Sequence, residues 1–247
     1  MAAPSKLKAP FLKRLSVLAE RIDRKAFPFD TLKFLTSTFA IEFKSPITII
    51  VGENGSGKST LIEALAVASG FNVFGGSQHH RGFGADGDLP NALGAAMRLS
   101  WLPRVRNGFF LRAESFFQLA SYLDETGNPA VHGGGLLHGR SHGEAFMTMF
   151  HHRLAAKRQA IYFMDEPEAA LSPQRQLAFR QVMAEWRASG AVQAIFATHS
   201  PILMSLPGAD VLWIDERGLA PIRPEETPHW RIYKAFLADP QRFDERG

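Results

Sequence analysis

The run Gly52-Glu53-Asn54-Gly55-Ser56-Gly57-Lys58-Ser59-Thr60 constrains the fold more than any other part of this chain. Gly52, Gly57, Lys58 and Ser59 fit the phosphate-cradling pattern G-x-x-x-x-G-K-[ST]. Such a loop must sit between a strand and a helix, and both are predicted. Ile47-Thr48-Ile49-Ile50-Val51 is short, apolar and β-branched, the pattern of a buried parallel strand. Leu61 to Ala68 reads as a helix with Leu61 and Leu65 on one face. In a strand–loop–helix unit the N–H groups of the loop and of the helix start converge where anionic phosphates are held. Lys58 is expected to reach the β- and γ-phosphates and the Ser59 hydroxyl to bind Mg²⁺. The reading is a nucleoside triphosphate site built by residues 52–60.

A second apolar strand, Ala160-Ile161-Tyr162-Phe163-Met164, ends in Asp165-Glu166-Pro167. A carboxylate at a strand end beside a phosphate loop can hold the Mg²⁺ shell, the role given to Asp165. Its neighbour Glu166 can act as general base on the attacking water. A third strand, Gln193 to Thr198, ends in His199-Ser200-Pro201. Parallel sheets carry functional groups at the carboxyl ends of their strands, so His199 is expected near the γ-phosphate.

Together these segments resemble the ATP-binding-cassette (ABC) ATPase superfamily. Its members carry a Walker A loop, a signature, a Walker B Asp-Glu pair, a D-loop and a switch histidine, in that order. Ser141-His142-Gly143-Glu144 occupies the signature position, ahead of a predicted helix from Ala145 to Ala155. Against the family's LSGGQ, Ser141 and Gly143 match, whereas Arg140, His142 and Glu144 depart from it. Glu168-Ala169-Ala170-Leu171-Ser172 takes the D-loop position and His199 that of the switch histidine. The likeness spans roughly residues 30–215 and is strongest to the soluble branch of chromosome-maintenance, recombination-repair and overcoming-lysogenization-defect ATPases. Within that branch the chain is most similar to compact, stand-alone bacterial AAA-type ATPases.

The resemblance implies an α/β P-loop NTPase fold with ABC-ATPase head architecture. That means a mainly parallel central sheet, antiparallel edge strands and a short helical lobe carrying the signature. It implies Mg²⁺ as cofactor and a homodimer that closes head to tail on ATP. Ser141, Gly143 and Glu144 of one subunit would then meet the phosphate loop of the other. It also implies a Mg²⁺-sensing glutamine, for which Gln118 is the first choice, with Gln78, Glu114 and Ser115 as alternatives. The adenine-stacking aromatic is open among Phe27, Phe29 and Phe34.

Length and composition agree with one domain over 1–247, with a small lobe at roughly 70–155 between the two nucleotide motifs. Hydrophobic residues make up 45% of the chain, enough for a large core. The absence of cysteine excludes disulfide frameworks and thiolate metal sites and suits a cytoplasmic location. Met1 to Pro10 has no apolar h-region, and no apolar run reaches the ~20 residues of a membrane span. The net charge of +4 permits nucleic acid as a partner without requiring it.

Several elements are predicted around the motifs. Phe11 to Arg24 reads as an amphipathic helix with Phe11, Leu15, Leu18 and Ile22 on one face. Thr38 to Phe43 reads as an edge strand in a hairpin with the strand that precedes the phosphate loop. Gly70 to Asp88, with His79-His80, and His132 to Gly135 read as loops. Arg98 to Arg106 and Phe109 to Arg112 read as strands leading into a helix from Glu114 to Leu123. Ser172-Pro173 should open a helix with Phe179, Val182, Met183 and Trp186 buried and Gly190 as its stop. Val211 to Ile214 reads as a last core strand.

The stretch between Leu61 and Ser141 has no sustained heptads, which excludes a long coiled-coil rod. Three function classes follow: a soluble ATPase switch acting on an unknown protein partner in a DNA-linked or defence-type complex, the nucleotide-binding subunit of a transporter, and a nucleotide-dependent binding module with little turnover. The atypical signature weighs against the second and the pair Glu166/His199 against the third.

Overall fold

In a computed structural model of the chain, the described residues are 7–73, 75–76, 91–112, 144–145, 147–148, 150 and 158–244. Their centre is a six-stranded sheet in the order β5-β6-β7-β3-β8-β9. Its strands are β3 (Ile47–Val51), β5 (Gly108–Arg112), β6 (Ala160–Asp165), β7 (Val192–Ala197), β8 (Asp210–Asp215) and β9 (Gly218–Pro221). All neighbours run parallel except β8 and β9, which pair antiparallel at one edge. A second sheet of three antiparallel strands has the order β2-β1-β4, from β1 (Leu12–Val17), β2 (Ala40–Glu42) and β4 (Met97–Trp101).

Strand alternation sorts the core onto two faces of the central sheet. Tyr162 and Met164 of β6 and Phe196 of β7 point to one side. There they meet Phe179, Val182, Met183 and Trp186 of helix α3 (Pro173–Ser189). Ile161, Phe163 and Ile195 point to the other side, toward Leu61 and Leu65 of helix α1 (Lys58–Ala68) and toward Leu12, Leu15 and Ile41 of the small sheet. The short helix α2 (Ala92–Ala95) leads into β4. On the α3 face, Trp186 packs its ring against Tyr162 at 4.9 Å and Phe179 at 5.9 Å between centroids.

The ends of α3 are where the sequence put them. The Ser172 hydroxyl accepts from the Arg175 N–H, Pro173 is the first helical residue, and Gly190 ends the helix at φ 64°.

Two expectations fail for physical reasons. The stretch from Phe11 is strand β1, followed by a 3₁₀ turn at Ala19–Arg21, instead of a helix. A β-bulge between Leu12 and Arg14 adds one residue, so Leu12 and Leu15 are both buried three positions apart. That spacing imitates a helical stripe. The expected hairpin of Thr38 to Phe43 with β3 does not form; β2 pairs with β1 in the small sheet. β3 is buried along its whole length and both its edges are occupied, by β7 and β8. No edge is left for a hairpin partner.

Of the expected signature lobe, Glu144, Ala145, Met147, Thr148 and Phe150 are helical. Ser141, Gly143, Gln118, Gln78, Glu114, Ser115, His79-His80 and the loop from His132 lie outside the described residues. Among the described residues, no helix is long and apolar enough to cross a membrane.

Candidate functional site

The carboxyl ends of β3, β6 and β7 are neighbours, and each delivers one group of the site. After β3 the chain turns through residues 52–57 into α1. The turn needs glycine at Gly57, where φ is 90° and an added Cβ would lie 2.5 Å from Leu32 and 3.0 Å from Phe34. It needs glycine at Gly52 as well, where a Cβ would meet Ile214 at 2.6 Å and Ser56 Oγ at 2.8 Å. Gly57 caps α1 without offering any side-chain acceptor, which leaves the first N–H groups of the helix directed at the loop's concave side.

Lys58 is buried, and its ammonium donates to the carbonyls of Gly52 and Glu53, both at 2.8 Å. Burial pulls its pKa below the ordinary lysine value, against the pull of Glu166, Asp165, Glu53 and Glu168. Ser56 Oγ is buried and has no hydrogen-bond partner among the described residues. A cationic head, uncapped helix N–H groups and a spare hydroxyl form a site for an anion.

On the far side of β7 lies a wall of carboxylates and imidazoles. β6 ends at Asp165, level with Arg112 of β5 and Ala197 of β7. Arg112 pairs with Glu63 of α1 at 2.9 Å, tying the end of β5 to that helix. The next residue, Glu166, has φ 48° and ψ 54°, the left-handed region, and is the only non-glycine with positive φ among the described residues. Such strain is found where a side chain must be aimed. Glu166 Oε1 lies 3.4 Å from His199 Nε2.

A 3₁₀ turn at Pro167–Ala170 follows, and from it Glu168 accepts the His199 backbone N–H at 2.6 Å. Burial raises the Glu168 pKa, although hydrogen bonds from His199 and Thr198 oppose the shift. Ser200 caps a short helix α4 (Pro201–Met204), so the His199 loop is held on both sides.

His229 is the residue that sequence reasoning missed. It belongs to helix α5 (Pro228–Ala238), and its Nε2 lies 2.9 Å from His199 Nδ1. Burial lowers the pKa of both imidazoles, and Lys58 adds to the effect on each. Burial thus favours the neutral form of both rings. No motif marks His229; the only hint in the sequence is a histidine beside Trp230 in the C-terminal segment.

The cavity next to the loop holds about 330 Å³ and is lined by Thr31, Lys33, Phe34, Asn54, Trp213 and Glu216, among others. Of the three aromatics expected to stack on a base, Phe29 and Phe34 are buried and Phe27 is 73% exposed. Trp213, unforeseen, is the half-buried aromatic that lines this cavity. Glu144 is exposed and pairs with Arg175 of α3 at 3.5 Å.

The donors near the loop suit Mg²⁺ in kind. Ser59 and Asp165 supply hard oxygens, and this ion takes one or two protein oxygens together with substrate phosphates and water. Among the described residues no three His, Asp or Glu side chains gather into a self-sufficient metal cage.

Known proteins resemble the chain in two sequence segments and in fold. Residues 32–86 match a family model described as "AAA domain". Residues 145–205 match a second, "AAA domain, putative AbiEii toxin, Type IV TA system". None of the curated proteins matches. Among solved structures, CbiO1 from Clostridium perfringens, part of an ABC transporter complex, superimposes with a TM-score of 0.50 at 15% identity, over 94% of this chain and 97% of its own. The SMC head domain from Thermotoga maritima is also similar, with a TM-score of 0.47 at 18% identity over 86% of this chain and 99% of its own. AAA-domain models match both motif segments, and the mostly parallel central sheet with its antiparallel edge gives the chain the fold of an ABC-type P-loop ATPase head.

Proposed function

We propose that the protein is a Mg²⁺-dependent ATP hydrolase, a single ATPase domain whose ATP-closed homodimer switches a partner protein in a defence-linked complex. One observation carries the hydrolytic reading: Glu166 and His199 converge at 3.4 Å across from the Lys58 loop, at the carboxyl ends of adjacent parallel strands. The match of residues 145–205 to a model described with a toxin–antitoxin system supports the defence-linked context.

In this reading the amides of residues 52–60 and the Lys58 ammonium hold the β- and γ-phosphates. Lys58 exchanges its two carbonyl partners for phosphate oxygens as ATP enters. Ser59 and Asp165 would hold Mg²⁺, which would supply neutralisation of the charge that builds on the phosphates. The nucleoside lies in the cavity beside Trp213 and Lys33. Glu166 takes a proton from water in line with the γ-phosphorus, and His199 donates from Nε2 to a γ-phosphate oxygen. Ser141, Gly143 and Glu144 of the second subunit close the site. A two-fold dimer has two such sites.

The dimer is tested by mixing. Lys58→Ala and Ser141→Arg should each be nearly inactive, and mixing them should restore part of the ATPase rate through the one site that joins intact Lys58 to intact Ser141. A flat rate, with heterodimers confirmed by mass spectrometry, would remove Ser141 from the site.

A further inference from the structure

His199 is held by a second histidine from a different part of the chain, and the contact has a direction. A neutral imidazole has one N–H donor and one bare acceptor nitrogen, and the partner of one nitrogen decides which form is present. His199 Nε2 faces the Glu166 carboxylate at 3.4 Å without hydrogen-bond geometry, and the nearby negative charge favours hydrogen on Nε2. Its Nδ1 is then bare and must accept. The atom 2.9 Å away is His229 Nε2, which must therefore donate. His229 is left with a bare Nδ1, a buried atom with no partner among the described residues. His199 Nε2 likewise has no hydrogen-bond partner among the described residues, so either pattern leaves one unpaired N–H and one bare nitrogen. The negative charge of Glu166 beside Nε2 decides between them in favour of the N–H there.

The mounting of His229 points the same way. Thr227, fully buried, caps α5 by accepting from Trp230 N–H at 3.2 Å and donates to Pro224 O at 2.7 Å. Its hydroxyl also touches Met204 of α4, the helix that follows His199. No residue of α5 itself is buried. The helix is fastened by its first turn, and that turn carries His229. The Trp213 ring, 6.2 Å from His229 between centroids, backs it from β8. Charged side chains that act on the pair are Lys58, Glu53 and Glu166.

We propose that His229 is a positioning residue: its Nε2–H donates to His199 Nδ1 and fixes His199 in the Nε2–H tautomer, so that the donor faces Glu166 and the γ-phosphate. This deepens the reading of His199 as a γ-phosphate ligand and rests on it. It also makes the C-terminal helix part of the hydrolytic apparatus, since displacing the first turn of α5 releases the His199 ring. Partners that orient a histidine through its second nitrogen are worth about 10- to 100-fold in activity where the histidine binds a metal, and a similar scale is expected here.

Two variants separate orientation from packing. His229→Phe keeps a ring and removes the donor, whereas His229→Gln can place an amide N–H near the old Nε2. His229→Phe should lower kcat by about 10- to 100-fold with KM for Mg-ATP changed only a few-fold, and His229→Gln should recover most of the rate. Equal loss in both variants, or loss in neither, would overturn the proposal.

A second readout needs no turnover. Long-range ¹⁵N–¹H spectra of histidine-labelled protein near pH 8, with His199 assigned through His199→Gln, report the tautomer directly. The parent should carry the proton on Nε2 and His229→Phe should show a mixture. A proton on Nδ1 of His199 in the parent would contradict the proposal. Should the parent fail to hydrolyse ATP while its tautomer still depends on His229, the hydrolytic reading falls and the positioning role of His229 stands.

Discussion

The two walls of the site are made differently. The wall formed by residues 52–60 is mostly backbone: amides, carbonyls and helix N–H groups fixed by two glycines that tolerate no Cβ, with the Lys58 ammonium as its one cation. The wall of Glu166, Glu168, His199 and His229 is side chain, drawn from the ends of β6 and β7 and from the start of α5. A backbone wall fixes where phosphates bind whatever its neighbours do. A side-chain wall fixes protonation and aim, and each member depends on the next. Binding should therefore belong to the first wall and turnover to the second.

The largest expected effect tests that division on the backbone wall. Lys58→Ala removes the one cation from the loop, and charge-assisted bonds of about 1.5–3 kcal/mol each make a loss of roughly 100-fold or more in Mg-ATP affinity the expected result. Turnover should vanish with it. Titration calorimetry checks the first outcome; affinity that stays near the parent's would break the comparison, because binding would then not depend on the loop.

A smaller effect sharpens the other wall. The Glu168 carboxyl has a folded pKa raised by burial, so its ionised form is less stable folded than unfolded. Its favourable contribution is complete below the unfolded pKa, near 4.3, and is lost as pH rises through the folded value. Glu168→Gln, which still accepts from the His199 N–H, should raise the thermal midpoint at neutral pH. The gain should shrink on acidification to about pH 4. A midpoint that falls at neutral pH would mean that the hydrogen bonds from His199 and Thr198 outweigh desolvation.

The same division explains what could be read from the sequence. The loop, β3 and the carboxylate strand β6 were legible because their function demands local patterns: glycines at fixed spacing, then apolar runs ending in acids. Helix α3 was legible from its cap, its stripe and its terminal Gly190. β1 was not, because its bulge shifts the apolar phase to a helical spacing. β2 was misplaced because its partner is chosen by which edges of β3 remain open, a fact of topology that its own residues do not carry. His229 left no pattern, since its contact with His199 exists only once α5 has docked beside α4. Trp213 was read only as a core residue of the last strand, and its place in the cavity depends on the loop that β8 lies beside.

The central claim is that loop and carboxylate wall together hydrolyse ATP, with Glu166 as the base. Its most direct test is Glu166→Gln, followed by calorimetry for Mg-ATP and by phosphate release. The account predicts affinity within a few-fold of the parent and turnover slower by about 100-fold or more, as removal of a general base requires. Phosphate release at the parent's rate would contradict it.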